Sequence, residues 1–224
     1  MKSNNFPILR IACDGESSSG KSTAAKLISK KYNLFWMNSG LLFRFASKLI
    51  LKHKPKKNIP FLKKKFKNLN YKKITHLNLH SEKISNHVAI LAKQKKIRQI
   101  VRLFQKKIIK KQKRICCEGR DQASVILKKN PRYDIAFYFK CNLQTASLRR
   151  WHDLKKKVPL KEVKKSLRTR TLYDKKRLHN PLKKVADAVL IRTDILNKKA
   201  MIARMSTEID KKLKLKYGRN FKRK

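Results

Sequence analysis

The chain has 224 residues and carries 62 Lys plus Arg against 13 Asp plus Glu, a formal net charge of +49. That length suffices for one α/β core with a small appended part, while no apolar run approaches the ~18 residues that cross a bilayer, which excludes a helical membrane protein. No signal-peptide pattern opens the chain, and cysteines 13, 116, 117 and 141 lie in or beside apolar runs without paired metal-ligand spacing, so they are expected as buried reduced thiols of a cytoplasmic protein.

Residues 8–13 read as a mostly apolar, buried strand. It leads into Gly15-Glu16-Ser17-Ser18-Ser19-Gly20-Lys21-Ser22, a glycine, four free positions, then Gly-Lys-Ser, the pattern that wraps the phosphates of a nucleotide. The glycines permit a tight curl that turns N–H groups inward, Lys21 reaches the outer phosphates, and the Ser22 hydroxyl can sit on Mg2+. Residues 21–31 carry Ala25, Leu27 and Ile28 at helical spacing, which places Lys21, Ser22 and Thr23 at a helix N-terminus, where the dipole favours anions.

A short strand at 34–37 enters Asn38-Ser39-Gly40 and a helix over 41–51. Between 52 and 81, Pro55, Pro60 and many lysines predict an irregular insertion with one strand at 74–79. A single long helix is expected over 82–110, with Ile84, Val88, Leu91, Ile97, Ile100, Val101, Leu103, Phe104 and Ile108 on one broad face. The strand at 115–117 ends in Glu118-Gly119-Arg120-Asp121, and 134–139 is the clearest strand of all. Basic helices over 143–155 and 160–177, a strand at 188–191, a helix over 195–213 and a frayed basic tail at 217–224 complete the chain. Strands alternating with helices in this way require a parallel sheet with crossover helices. The lysines are scattered through every segment, which favours a compositional bias over a dedicated polyanion surface. Nonspecific binding of polyanions follows as a side effect.

A phosphate loop alone allows many activities, and the arginines narrow them. Arg44 follows the second strand, Arg98 lies on the long helix, Arg120 stands beside Asp121, and Arg149, Arg150, Arg168, Arg170 and Arg177 occupy the late helix pair. In a chain that prefers lysine, arginine at these places points to planar, bidentate recognition of phosphate. Phosphoryl transfer, whose transition state spreads charge over several oxygens, needs such a clamp.

The glycine loop, Asn38-Ser39-Gly40 with Arg44, Gly119-Arg120-Asp121, and above all Arg170-x-x-x-Asp174-x-x-Arg177 with Pro181-Leu182 and Ala186-Asp187-Ala188 resemble bacterial cytidylate kinase, a nucleoside-monophosphate-kinase-like P-loop family, from about residue 8 to 213. The resemblance implies a three-layer P-loop NTPase fold with a five-stranded parallel sheet, an NMP-binding insertion and a short lid. It divides one domain into a core (6–37, 99–150 and 164–216), a CMP-binding part (38–98), a lid (151–163) and the tail (217–224). It implies transfer from ATP, with Mg2+, to CMP or dCMP, in a cytoplasmic monomer with no specific nucleic-acid or membrane partner. Residues 15–23 would hold the ATP phosphates, with Ser22 on the metal. Lys21, Arg149, Arg170 and Arg177 would serve catalysis. Ser39, Gly40, Arg44, Arg98, Arg120, Asp121, Arg170, Asp174 and Arg177 would hold CMP. Asp121 can accept from the cytosine amino group, where uracil offers a carbonyl; a helix cap is the other reading of this aspartate.

The sequence departs from the family pattern at Asn38, Ala89, Ala123, Ser124, Ala146 and Thr171, and its insertion is short for a small CMP-enclosing sheet. Glu16 within the phosphate loop has no evident role. The alternatives are another small-molecule P-loop kinase with a different anionic acceptor, and a basic RNA-associated P-loop protein.

Overall fold

Leu9, Ile11, Ala12 and Cys13 are fully buried, which makes β1 (Leu9–Gly15) a strand covered on both faces. The computed structural model describes residues 6–79 and 81–218. After β1 come α1 (Lys21–Lys31), β2 (Phe35–Asn38), α2 (Ser39–His53), α3 (Asn58–Lys67), α4 (Tyr71–Thr75), α5 (Glu82–Leu91) and α6 (Lys95–Lys111). Then follow β3 (Arg114–Gly119), a wide turn with π-type hydrogen bonds (Gln122–Ile126), β4 (Ile135–Lys140), α7 (Leu143–Asp153), α8 (Leu160–Lys176), β5 (Val189–Arg192) and α9 (Lys198–Tyr217). The chain forms two compact units, one drawn from residues 1–37 and 112–224, the other from 38–111.

The first unit is the expected α/β fold, a five-stranded parallel sheet in the order β2-β3-β1-β4-β5. Asp14 stands opposite Gly119 on β3 and Tyr138 on β4, so the strands end nearly level. The chain leaves β1 toward one side of the sheet and returns across it between β3 and β4. The loops after β1 and β3 therefore flank the switch point, where ligands of open α/β sheets bind. Ala24, Ala25 and Ile28 of α1 and Met201, Met205 and Ile209 of α9 pack with Ile11, Phe137 and Phe139 into the core that holds these strand ends rigid. Each of the two buried phenylalanines contributes about 1.5–3 kcal/mol by burial. A smaller apolar cluster, Cys141, Ala146, Val163 and Leu167 with Trp151, Leu154 and Val158, joins α7 to α8. All four cysteines are buried and free, Cys13 and Cys116 lying Sγ to Sγ at 3.7 Å. Among the described residues no helix is long and apolar enough to cross a membrane.

The second unit corrects two expectations. In place of an irregular insertion with a strand at 74–79, residues 58–67 and 71–75 are the helices α3 and α4. Pro60 falls in the first turn of α3, where its missing N–H costs nothing. Leu62 and Phe66, one turn apart, are buried, Phe66 meeting Phe104 of α6 edge-on at 5.6 Å between ring centres. Asn70 caps α4 by accepting the N–H of Lys72, and Tyr71 and Ile74 bury its inner side. The single helix over 82–110 is two, α5 and α6, separated at residues 92–94. The apolar stripe explains the break: Ile84, Val88 and Leu91 keep helical spacing, but the next buried residue is Ile97, with Gln94 and Lys95 where a continuous stripe needs an apolar side chain. Leu103, expected on the inner face, is 60% exposed. Of the expected tail, residues 219–224 lie outside the described residues, as does His80 of the insertion.

Candidate functional site

Gly15 ends β1 so close to β4 that a Cβ there would lie 2.3 Å from the Phe139 carbonyl oxygen; only glycine fits. The next N–H, of Glu16, donates to that same carbonyl at 3.3 Å. Ser19 Oγ donates to the Glu16 carbonyl at 2.8 Å, and Gly20, at φ 72°, turns the chain into α1 through a left-handed conformation that glycine adopts without strain. The curl is braced from outside. Thr193 Oγ1 donates to the Ser19 carbonyl at 3.0 Å, and Arg149 holds Thr193 in turn, with Nη1 at 3.0 Å from Oγ1 and Nη2 at 2.6 Å from the carbonyl. The first N–H groups of α1, beginning at Lys21, face the hollow of this loop with no acidic residue in the first turn.

Three ionisable side chains, Lys21, Asp14 and Glu118, crowd beneath it. Lys21 is 6% exposed, and burial pulls its ammonium down to about 8, aided by Arg120 and opposed by Glu118 and Asp14. At pH 7 it still carries its proton, and a polyphosphate bound in the loop would strengthen its hold on it. Asp14 accepts the N–H groups of Gln122 and Ala123, each at 2.8 Å, fastening the π-type turn to β1. Burial nevertheless pushes its carboxyl up to about 6. Glu118, at the end of β3, accepts from Ser22 Oγ on one oxygen and from Trp36 Nε1 at 3.0 Å on the other, and Lys21 Nζ lies 3.8 Å away. Among the described residues no cluster of three His, Cys, Asp or Glu side chains could cage a metal. The Ser22 hydroxyl with the Glu118 carboxylate nonetheless fits Mg2+, which takes one or two protein oxygens and completes its shell with phosphate and water.

Beyond β3, Arg120 binds two elements at once. Its Nη2 donates to Ser17 Oγ at 2.8 Å and its Nε to Asp174 Oδ2 at 2.8 Å, which joins the loop to α8. Arg177, just past α8, places Nη1 3.4 Å from Asp174 Oδ1 and Nη2 3.8 Å from Asp121 Oδ2. Burial raises the Asp174 carboxyl, but Arg120, Arg170 and Arg177 outweigh it and hold the group below the usual range. Asp121 directly precedes the π-type turn, yet its side chain caps no N–H there. Its Oδ1 lies 3.4 Å from Gln122 Nε2. One end of the sheet thus brings together the phosphate loop, Lys21, Ser22, Arg120, Asp121, Arg149, Arg170, Asp174 and Arg177.

The remaining predicted site residues, Ser39, Gly40, Arg44 and Arg98, belong to the second unit. Asn38 caps α2 by accepting the N–H of Leu41, a task its amide does as well as a carboxylate. Arg44 Nη1 donates to the Leu79 carbonyl at 3.0 Å and to Ser85 Oγ at 2.9 Å. Arg98 is buried, with Nη1 on the Ala92 carbonyl at 3.3 Å and its guanidinium 5.7 Å from the Phe43 ring centre. Ala89 is exposed on α5.

Sequence reasoning passed over Glu118, Asp14, Thr193 and Lys175. An acid at a strand end facing a Gly-Lys-Ser loop was a signal available for Glu118 and Asp14. Thr193 carries none that spacing could reveal, and Lys175 is one basic residue among 62. Lys175 Nζ lies 2.7 Å from Glu16 Oε1.

The model of the family described as cytidylate kinase matches residues 11–211. A cytidylate kinase of Phytoplasma mali is 31% identical over 209 residues, covering 84% of this chain and 88% of its own length. One of Clostridium botulinum is 29% identical over 217 residues, covering 91% and 98%. A solved structure of an uncharacterized protein from Eubacterium ventriosum superposes with a TM-score of 0.53 at 15% identity, over 90% of this chain and 98% of that one, and shows the same fold.

Proposed function

Since the chain belongs to the cytidylate kinase family, we propose that it transfers the γ-phosphoryl group of Mg-ATP to CMP and dCMP, giving CDP or dCDP plus ADP. The observation that carries this reading is the pair of hydrogen bonds that Arg120 donates, one to Ser17 of the phosphate loop and one to Asp174 of α8, because it couples a triphosphate cradle to a cluster of arginines suited to a second phosphate. An oxygen of the acceptor monophosphate attacks the γ-phosphorus, the bond to the β–γ bridging oxygen breaks, and that oxygen leaves with the electron pair on ADP. Little covalent work falls to the protein, so position and charge do most of the catalysis.

Lys21 and the loop amides after Glu16 hold the β- and γ-phosphates. Ser22 and Glu118 would hold Mg2+, which would neutralise charge on those phosphates. Arg170 and Arg177 meet the charge on the transferring group and Arg120 grips the acceptor phosphate; in the second unit, Arg44 carries the phosphate-binding role that the family resemblance implies. Arg149 keeps the loop in shape through Thr193 and serves catalysis by that positioning. Asp121 accepts from the cytosine amino group, with Arg177 at the base and adjoining phosphate and Asp174 and Arg170 at the ribose; in the second unit, Arg98, Ser39 and Gly40 carry the CMP-binding roles that the family resemblance implies. Residues 151–163 act as the lid, which keeps water from competing as acceptor. The protein works as a cytoplasmic monomer on small nucleotides, without a nucleic-acid partner of its own.

The test is ADP release with Mg-ATP and CMP, dCMP, UMP, AMP or no acceptor, at moderate salt. Release fast with CMP and dCMP and slow with the others is expected. Equal rates with every acceptor, or none, would overturn the assignment.

A further inference from the structure

Glu16 lies in the phosphate loop, but its side chain has no part in the reaction as described. Its main-chain N–H is given to the Phe139 carbonyl at 3.3 Å, and its carboxylate, only 14% exposed, points to Lys175 in the last turn of α8, with Nζ at 2.7 Å from Oε1. The neighbouring contact runs in parallel: Ser17 is bonded through Arg120 to Asp174. Two consecutive residues of the loop are thus tied to two consecutive residues of α8, the helix that carries Arg170 and delivers Arg177. The two ties differ in kind. The inner one is a fork between side chains that are each less than a fifth exposed, while Lys175 is 44% exposed and holds its partner by charge.

A carboxylate in a loop that must receive a tetra-anion repels its ligand unless it is neutralised. No other salt bridge to Glu16 is present among the described residues beside that of Lys175. We propose that Lys175 is a positioning residue for the phosphate donor: by pairing with Glu16 it cancels the loop's one negative side chain and fixes the end of α8 against the loop while the nucleotide is bound. The proposal rests on the reading of this loop as the ATP site. It makes the two partners unequal. Loss of Lys175 leaves an uncompensated carboxylate beside the phosphates, whereas loss of the Glu16 charge leaves a lysine that is harmless to an anion.

The experiment measures KM for ATP and kcat with CMP for wild type, Lys175→Ala, Glu16→Gln, the double variant and Lys175→Arg, with urea midpoints as a check on folding. Because the pair is partly screened by solvent, Lys175→Ala raises KM for ATP about three- to fivefold, with less than about a twofold change in kcat. Glu16→Gln alone does not raise it, the double variant returns to within about twofold of wild type, and Lys175→Arg matches wild type. The defect of Lys175→Ala shrinks as salt rises from about 0.05 to 0.5 M, since screening removes a repulsion. An unchanged KM in Lys175→Ala, or a raised KM that Glu16→Gln does not relieve, overturns the proposal. A wild-type protein that turns over no ATP removes the kinase reading and this proposal together; an active wild type with no coupling between the two positions removes this proposal alone.

Discussion

Replacing Lys21 by Met separates what this residue does for the reaction from what it costs the fold. The ammonium is buried, and its proton affinity falls from the ordinary 10.5 to about 8. At 1.36 kcal/mol for each tenfold in affinity, holding the charge in the free protein costs about 3 kcal/mol. For a lysine depressed in this way the unfolded chain keeps its proton between pH 8 and 10.5 while the folded chain has lost it, so wild-type stability climbs with pH through that window. The methionine variant has no such step. It is therefore more stable than wild type at pH 7, by up to about 3 kcal/mol or roughly 1 M in urea midpoint, and the gap closes as pH approaches 10.5. Turnover meanwhile falls at least about a hundredfold, because a donor aimed at developing charge is gone. Urea titrations at pH 7 and 10, paired with ADP release, read both effects. A variant less stable than wild type at pH 7, a gap that does not narrow with pH, or retained turnover would show that the buried ammonium neither carries this cost nor serves transfer.

Three further substitutions test other parts of the site. Glu118→Gln weakens one oxygen of the metal pair while keeping a partner for Trp36, so the Mg2+ concentration for half-maximal rate rises about tenfold or more, read from a metal titration of turnover. Asp121→Ala removes the carboxylate proposed to accept from cytosine, so the ratio of kcat/KM for CMP over UMP narrows by at least about tenfold; an unchanged ratio would assign Asp121 to holding Arg177 alone. Gly15→Ala drives a methyl to 2.3 Å from the Phe139 carbonyl oxygen, and the strained core loses about 3 kcal/mol in urea unfolding.

The phosphate loop was legible because its glycines, lysine and serine stand between an apolar strand and an amphipathic helix, three local signals that agree. The sheet was legible for the same reason: β1 and β4 are short apolar runs whose burial leaves no alternative period. The second unit was harder, since Leu77 and Leu79 alternate as a strand does, yet Asn70 and the Tyr71–Ile74 pair commit the preceding segment to a helical turn. The break between α5 and α6 carries neither Gly nor Pro and shows only as a gap in the apolar stripe. At the site, single residues with ordinary spacing were hidden. Glu118 was read as the end of a strand, and Lys175 was lost among the other basic side chains, because the partner that gives each its meaning lies 96 and 159 residues away along the chain. Arg149 was legible as important, but its grip on Thr193 depends on a long-range contact that no local pattern announces.

Phosphoryl transfer to CMP is tested most directly by following the phosphorus itself. ATP labelled at the γ-position is incubated with the protein, Mg2+ and CMP, and the nucleotides are separated. The label is expected to move to CDP in step with ADP formation, with dCMP able to replace CMP and UMP doing so poorly. Label released as inorganic phosphate at the same rate with or without CMP would contradict it.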